Sequence, residues 1–262
     1  MSAVPPTLDA WVADVERRHL ADMTLPEVAR ALRALSSTYV ERRARLSGRG
    51  AFDTAGKRAA YALYYAPRRF QLVTAVAEAL LPDDPPRALV DAGCGTGAAG
   101  AAWALHGGRG ASVVGLDTHP WALDETRATY RALGVRGDVR RLSIAGPHDT
   151  FDWLPSDGRR PRALPDCGVV LSYAANELDE PARARLLPRL LAARATGACV
   201  LVVEPLSRRT SPWWPRWARA FTEAGGRADE WRLTVPLPAV TVALGRAAGL
   251  DVTAVTARTL LA

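Results

Sequence analysis

The sequence predicts an α/β fold: a doubly wound, mostly parallel sheet with an N-terminal helical extension. Three observations point there. From about residue 88 onward, strand-length apolar runs alternate with helix-patterned segments. The first of these runs lies in "LVDAGCGTGAAGAAW", Leu89 to Trp103, where an apolar strand ends on an acid and glycines follow. Residues 1–81 carry helical spacing and no strand alternation.

The elements follow in order. Leu8, Trp11, Val12, Val15 and Leu20 fall at helical intervals. Thr24 and Glu27 form a T-x-x-E capping box ahead of Val28, Leu32 and Leu35. A further helical stretch runs near Tyr39 to Leu46, and Gly48 and Gly50 loosen the chain after it. Lys57 to Ala66 is helical again, and Pro67 restarts the helix toward Leu81. "PDDPPR", Pro82 to Arg87, is a hard stop and divides an extension or lid (1–81) from a sheet domain (82–262).

Beyond it, "ALVDAG" reads as the first strand, and the small residues from Ala98 to Ala102 let a helix lie close to it. "ASVVGLD" is the second strand; Thr118 caps the next helix, with Pro120 in its first turn and Gly134 at its end. "VRRLSIA" is a third strand, Pro155 to Pro165 a surface loop and "CGVVLSYA" a fourth strand. A helix over Asp179 to Arg194 should kink before Pro188, and "ACVLVVEP" is the fifth strand. "SPWWPRWARAFTEAGG" reads as an irregular-to-helical insertion, Ala239 to Ala248 as helix and "LDVTAVTARTLL" as the last strand.

Composition narrows the function classes. An apolar fraction of 48% suits a globular core, and no run approaches the roughly 20 apolar residues that span a bilayer. The N-terminus lacks a basic start followed by an apolar block, so a cytoplasmic protein without a membrane partner is expected. Cys94, Cys167 and Cys199 are far apart and lack metal spacing, so neither a disulfide nor a metal is expected. The net charge of +7 is carried by arginine, since Lys57 is the only lysine, and no basic block of five occurs. A solvated arginine surface accounts for this somewhat better than a nucleic-acid footprint.

The glycine run admits two ligands. Gly95 to Gly100 matches the dinucleotide pattern G-x-G-x-x-G, whereas Asp91 to Gly97 reads D-x-G-x-G-x-G. Either way the glycines turn the chain sharply and bare its backbone to a ligand. Asp91 discriminates between the two. A carboxylate at the strand mouth repels a pyrophosphate but suits a cationic ligand such as S-adenosylmethionine, which has an ammonium, a sulfonium and no phosphate. Asp117 ends the second strand, where an acid can accept both ribose hydroxyls. An NAD-dependent oxidoreductase is further disfavoured because the single lysine offers no Y-x-x-x-K pair.

"VDAGCGTG", then "VVGLD" and "VVLSYAANEL", resemble a class I S-adenosylmethionine-dependent methyltransferase of Rossmann-like fold, over roughly Ala88 to Ala262. The resemblance implies that Asp91, Gly93, Gly95 and Gly97 line the methionine end and that Asp117 holds the ribose. Cys94, Thr96, Thr118, Ser143 and Ser172 complete the implied cofactor set. Ser143, Ile144 and Asp149 are the adenine candidates, although "LSIAGPHDTFDW" lacks the acid that the family often places there. "YALYYAPRRFQLVTAVAEALLP", "LSYAANELDEPARARLL" and "VLVVEPLS" together resemble the methyltransferase-like family tied to mitochondrial small-ribosomal-subunit assembly and its bacterial relatives. That family's iron–sulfur cysteine cluster is missing here, which weakens the transfer of a ribosomal role.

For the methyl acceptor, ribosomal RNA or a small metabolite, three segments reach the C-terminal edge of the sheet. Asn176 and Glu177 follow the fourth strand, as hydrogen-bond donor and base; Glu204 ends the fifth. Each is equally well a loop, helix-cap or strand-end residue. Trp213, Trp214 and Trp217 offer an aromatic wall, or else seat the insertion on its own domain. From the extension, Tyr61 and Tyr65 share a helix face with Arg68 and Arg69 nearby, as a lid or as packing. A cofactor-binding assembly factor that transfers nothing is the reading from a different class. His119, beside Asp117, is the only histidine near the site.

Overall fold

The computed structural model describes residues 8–41, 52–81, 86–106, 110–146, 166–207 and 211–262. The predicted stop at Pro82–Pro85, the loop Pro155–Pro165, Gly48, Gly50 and the adenine candidate Asp149 lie outside the described residues.

Helix α1 (Leu8–His19) buries Trp11, Val12 and Val15, the stripe its spacing predicts. Helix α2 (Leu25–Glu41) begins at the capping box: the Thr24 N–H donates to Glu27 Oε2 at 2.8 Å. The next helix runs without a break through α3 (Ala55–Ala60), a π-helical turn (Tyr61–Tyr65) and α4 (Ala66–Leu80). Pro67 was expected to restart a helix; instead it lies inside this continuous one. Proline has no N–H to give the preceding turn. The Leu63 carbonyl takes the Thr241 hydroxyl at 2.8 Å, and the wider turn bonds the Ala66 N–H to the Tyr61 carbonyl.

The sheet contains β1 (Ala88–Ala92), β2 (Ser112–Asp117), β3 (Gly137–Arg141), β4 (Cys167–Ser172), β5 (Cys199–Glu204), β6 (Arg227–Leu233) and β7 (Val255–Leu261), in the order β3-β2-β1-β4-β5-β7-β6. β1 to β5 are parallel, and β7 runs antiparallel to both β5 and β6. Helices α5 (Ala98–Leu105), α6 (Pro120–Ala132), α7 (Glu180–Ala195), α8 (Trp214–Glu223) and α9 (Ala239–Ala248) complete the fold. The architecture is the Rossmann-like, doubly wound sheet that the sequence predicts. β6 carries no apolar alternation, since "RADEWRL" alternates exposed with half-buried residues at the sheet edge, and the sequence pattern leaves it unassigned. β3 ends at Arg141 rather than running to Ala145, so residues 142–146 are loop.

Alternation along the strands divides the core between the two faces. Leu89, Val113, Val170, Leu201 and Val203 face a cluster that includes residues of α1 to α6 and α9. Val90, Val114, Leu171, Val200 and Val202 face α7 and α8. The helical extension therefore supplies much of one layer of the sandwich, with α4 packed on α5. α1 is tied to α6 by Glu125, whose carboxylate takes both guanidinium nitrogens of Arg18 at 2.7 Å and contacts His19 Nε2 at 3.1 Å. No helix among the described residues is long and apolar enough to cross a membrane.

Candidate functional site

The segment joining β1 to α5 makes its turn with three left-handed residues: Gly93 at φ 75°, Gly95 at 56° and Gly97 at 75°. Gly93 and Cys94 donate to the Leu116 carbonyl at 2.8 and 2.9 Å, which fixes the loop on the end of β2. The Thr126 hydroxyl donates to the Gly95 carbonyl at 3.0 Å, and Cys94 Sγ lies 3.3 Å from the same hydroxyl. Burial raises the Cys94 thiol pKa well above its ordinary value, so this cysteine is an inert packing group. A Cβ on Gly95 would come within 3.0 Å of the Tyr61 hydroxyl, so the extension meets the bare backbone of the loop there.

Beside the loop lies a cleft of about 970 Å³ at the C-terminal edge of the sheet. That is large enough for a nucleoside cofactor with room beside it. Of the cofactor residues named from the sequence, Gly93, Gly95, Asp117, Thr118, Ser143 and Ser172 line it, as does Ile144. Asp117 is held by the backbone: its Oδ2 accepts from the Gly95 N–H at 3.0 Å and its Oδ1 from the His119 N–H at 2.8 Å. Burial raises its pKa, and those amides act against the rise. The Ser172 hydroxyl is buried and has no partner among the described residues, although the cleft reaches it.

Asp91 sits beneath the loop rather than along the cleft. It is 1% exposed, and its Oδ2 accepts from the Gly100 N–H, in the first turn of α5, at 3.0 Å. A Cβ on Gly100 would fall 2.7 Å from that oxygen, so glycine is needed there for the close approach. Burial raises the Asp91 pKa to about 7, with the Gly100 amide opposing. One of the free N–H groups in the first turn of α5 is thus already taken by a carboxylate of the protein itself. Thr96 is buried, and Gly97 caps the same helix.

The acceptor candidates separate into two groups. Glu177 lines the cleft rim and Tyr61 its wall. Asn176 and Glu204 instead form a buttress outside the lining. The Asn176 amide donates to Glu204 Oε2, and its N–H donates to Oε1 at 3.2 Å; its own oxygen accepts from Ser211 at 2.8 Å and Trp213 Nε1 at 3.2 Å. Trp213, Trp214 and Trp217 are buried, 7%, 7% and 1% exposed, against the α7 face of the sheet. They pack as the inward side of α8 and show no wall to the cleft. Arg68 donates to the Ala254 carbonyl at 2.7 Å. Arg69 stacks on Tyr61, Tyr65 and Tyr173.

Sequence reasoning missed Phe52, Trp121 and Tyr173 as cleft residues. Phe52 packs on Tyr61, Trp121 and His119 at 4.8, 4.8 and 5.2 Å between ring centroids, forming an aromatic side to the Asp117 end. Only the position of Trp121, just after the predicted cap at Thr118, carried a signal. Tyr173 is the only described residue other than glycine at positive φ, 60°, a strained conformation of the kind that clusters at functional sites. Among the described residues no group of three or more His, Cys, Asp or Glu could hold a metal.

No protein family and no curated protein matches the sequence. Among solved structures, the mitomycin 7-O-methyltransferase MmcR is 16% identical with a TM-score of 0.50, over 98% of this chain and 73% of that one. A Pyrococcus abyssi tRNA (uracil-54, C5)-methyltransferase in complex with S-adenosyl-L-homocysteine is 17% identical with a TM-score of 0.45, over 74% of this chain and 38% of that one. The likeness to MmcR shows a shared fold, N-terminal helices included.

Proposed function

We propose that this protein is an S-adenosylmethionine-dependent methyltransferase acting on a small-molecule acceptor. The observation that carries the cofactor reading is the Asp117 carboxylate, held on the cleft wall beside the glycine turn by the Gly95 and His119 amides. Gly93, Gly95 and the Ser172 hydroxyl, which has no partner among the described residues, line the same cleft and suit a nucleoside, while Asp91 takes the Gly100 N–H from beneath the loop and leaves that amide unavailable to a pyrophosphate. The cofactor would supply a methyl group already activated on a sulfonium. Asp117, pre-set by two backbone amides, accepts the ribose hydroxyls with its remaining lone pairs. Phe52, Tyr61 and Trp121 exclude water from that end. The work left to the chain is positioning the acceptor, with Glu177 at the rim placed to take a proton.

If Asp117 holds the ribose, Asp117→Ala removes charge-assisted hydrogen bonds worth roughly 1.5–3 kcal/mol, so affinity for S-adenosylhomocysteine should fall about tenfold to a hundredfold in a folded protein. Unchanged affinity by calorimetry would return Asp117 to a purely structural role.

The small-molecule acceptor is favoured over RNA by what the candidate side chains already touch. Arg68 is bonded to its own chain and the tryptophans are interior. Ribosomal RNA fragments are therefore expected to bind weakly and without a steep salt slope. Tight binding that falls with salt by about 0.7 log units per neutralised phosphate would restore the RNA reading.

A further inference from the structure

Arg69 is held in an unusual way. Its guanidinium carbon lies 4.7 Å from the ring centroid of Tyr61, 5.9 Å from that of Tyr65 and 4.6 Å from that of Tyr173. Two uncommon backbone states build this cage. The π-helical turn Tyr61–Tyr65 sets two of the rings below Arg69 on the same helix, and the left-handed Tyr173 sets the third at the mouth of β4. Contact with ring faces takes up no hydrogen-bond acceptor, so the N–H donors of the guanidinium that do not face a ring stay available to a ligand. No described group takes a hydrogen bond from them, and the residue is half-buried. Two of the three rings, Tyr61 and Tyr173, line the cleft. A guanidinium held among aromatic rings with N–H donors to spare is preorganised for an anion.

We propose that Arg69 is a carboxylate receptor at the edge of the cleft, supplied by the N-terminal extension. A carboxylate, with a single charge, fits better than a phosphate dianion because Asp117 lines the cleft and the buried Asp91 already acts on Arg69 electrostatically. The carboxylate belongs either to the amino-acid end of the cofactor or to the acceptor. The location rests on the cofactor reading above; the receptor chemistry rests on Arg69 and its rings alone.

Calorimetric titration of the wild type, Arg69→Met and Arg69→Lys tests this with three probes. They are S-adenosylhomocysteine, 5′-methylthioadenosine (the same nucleoside thioether without the amino acid) and benzoate. If the cofactor supplies the carboxylate, Arg69→Met should weaken S-adenosylhomocysteine about tenfold to a hundredfold and leave 5′-methylthioadenosine within twofold. If the acceptor supplies it, both nucleosides should bind as in the wild type, and saturable benzoate binding to the loaded protein should be lost. Arg69→Lys keeps the charge on the rings but not the fork; it should show the same losses, and it stands in if the methionine variant does not fold. Unchanged affinity for S-adenosylhomocysteine, together with benzoate binding that is absent or indifferent to the substitution, would overturn the proposal. Should the wild type bind neither nucleoside, the cofactor reading fails. Benzoate titrated into the unloaded protein then decides for Arg69, with loss in the variants supporting the proposal and no saturable binding overturning it.

Discussion

Replacing Asp91 with asparagine is expected to make the unliganded protein more stable relative to wild type as pH rises, by up to about 4 kcal/mol between pH 4 and pH 7. Burial raises the carboxyl pKa from 3.8 to about 7. Between those values the unfolded chain has released its proton and the native chain still binds it. Native stability therefore declines as pH rises through this window, and the penalty is complete once pH exceeds the folded pKa. Asparagine does not titrate, and its oxygen can still accept from the Gly100 N–H. The measurement is denaturant unfolding of both proteins across pH 4 to 8. The stability difference should grow toward pH 7 and then level off. A difference that does not vary with pH would mean that Asp91 is not held in a desolvated position.

Glu125→Ala is expected to cost roughly 1.5–3 kcal/mol at neutral pH, because it removes the charge-assisted pair with Arg18, which keeps Asp14 as its other partner, and the contact with His19. Glu125 is 4% exposed, and although burial alone would raise its pKa, His19 and Arg18 hold it down at about 2, against 4.5 in the unfolded chain. The sign is opposite to that of Asp91. The contribution of Glu125 is fully present above pH 4.5 and is lost as pH falls from there toward 2; at about 3 kcal/mol it is comparable with the cost of removal. Because the ion pair joins α1 to α6, the loss should appear first as protease sensitivity of the N-terminal helices. A variant that keeps wild-type stability at pH 7, or a wild type whose acid unfolding matches that of Glu125→Ala, would show that the docking of α1 rests on Trp11 and its apolar neighbours alone.

What could be read in advance follows from how local each signal is. The glycine turn and the strand-end acids were legible because a tight turn, a bare backbone and a carboxylate at the strand end each demand particular residues at fixed spacing. β1, β2, β4 and β5 were legible because strands buried on both faces are nearly continuous apolar runs, whereas the edge strand β3 buries only Val139 and its end was misplaced. β6 was not, because an edge strand needs only one half-buried stripe, and here Trp231 is its one large apolar member short of the end. The tryptophans of "SPWWPRW" looked the same as wall or as core. Only the packing of α8 on the sheet decided, and Asn176 and Glu204 were drawn into that same buttress. The π-helical turn leaves no mark in "YALYY", since nothing in those side chains separates it from an α-turn. Its visible cause is tertiary: Pro67 frees the Leu63 carbonyl, and Thr241, far along the chain, bonds it. Tyr173 was missed because an aromatic residue at positive φ runs against local preference and is fixed by its surroundings, with its hydroxyl on the Thr256 carbonyl and Arg69 over its ring.

The claim on which the rest depends is that the cleft takes a phosphate-free nucleoside and not a dinucleotide. Calorimetric titration of the wild-type protein with S-adenosylhomocysteine, and separately with NAD, tests it most directly. The account predicts saturable one-to-one binding of S-adenosylhomocysteine that NAD does not compete away. Saturable binding of NAD, with no response to S-adenosylhomocysteine, would contradict it.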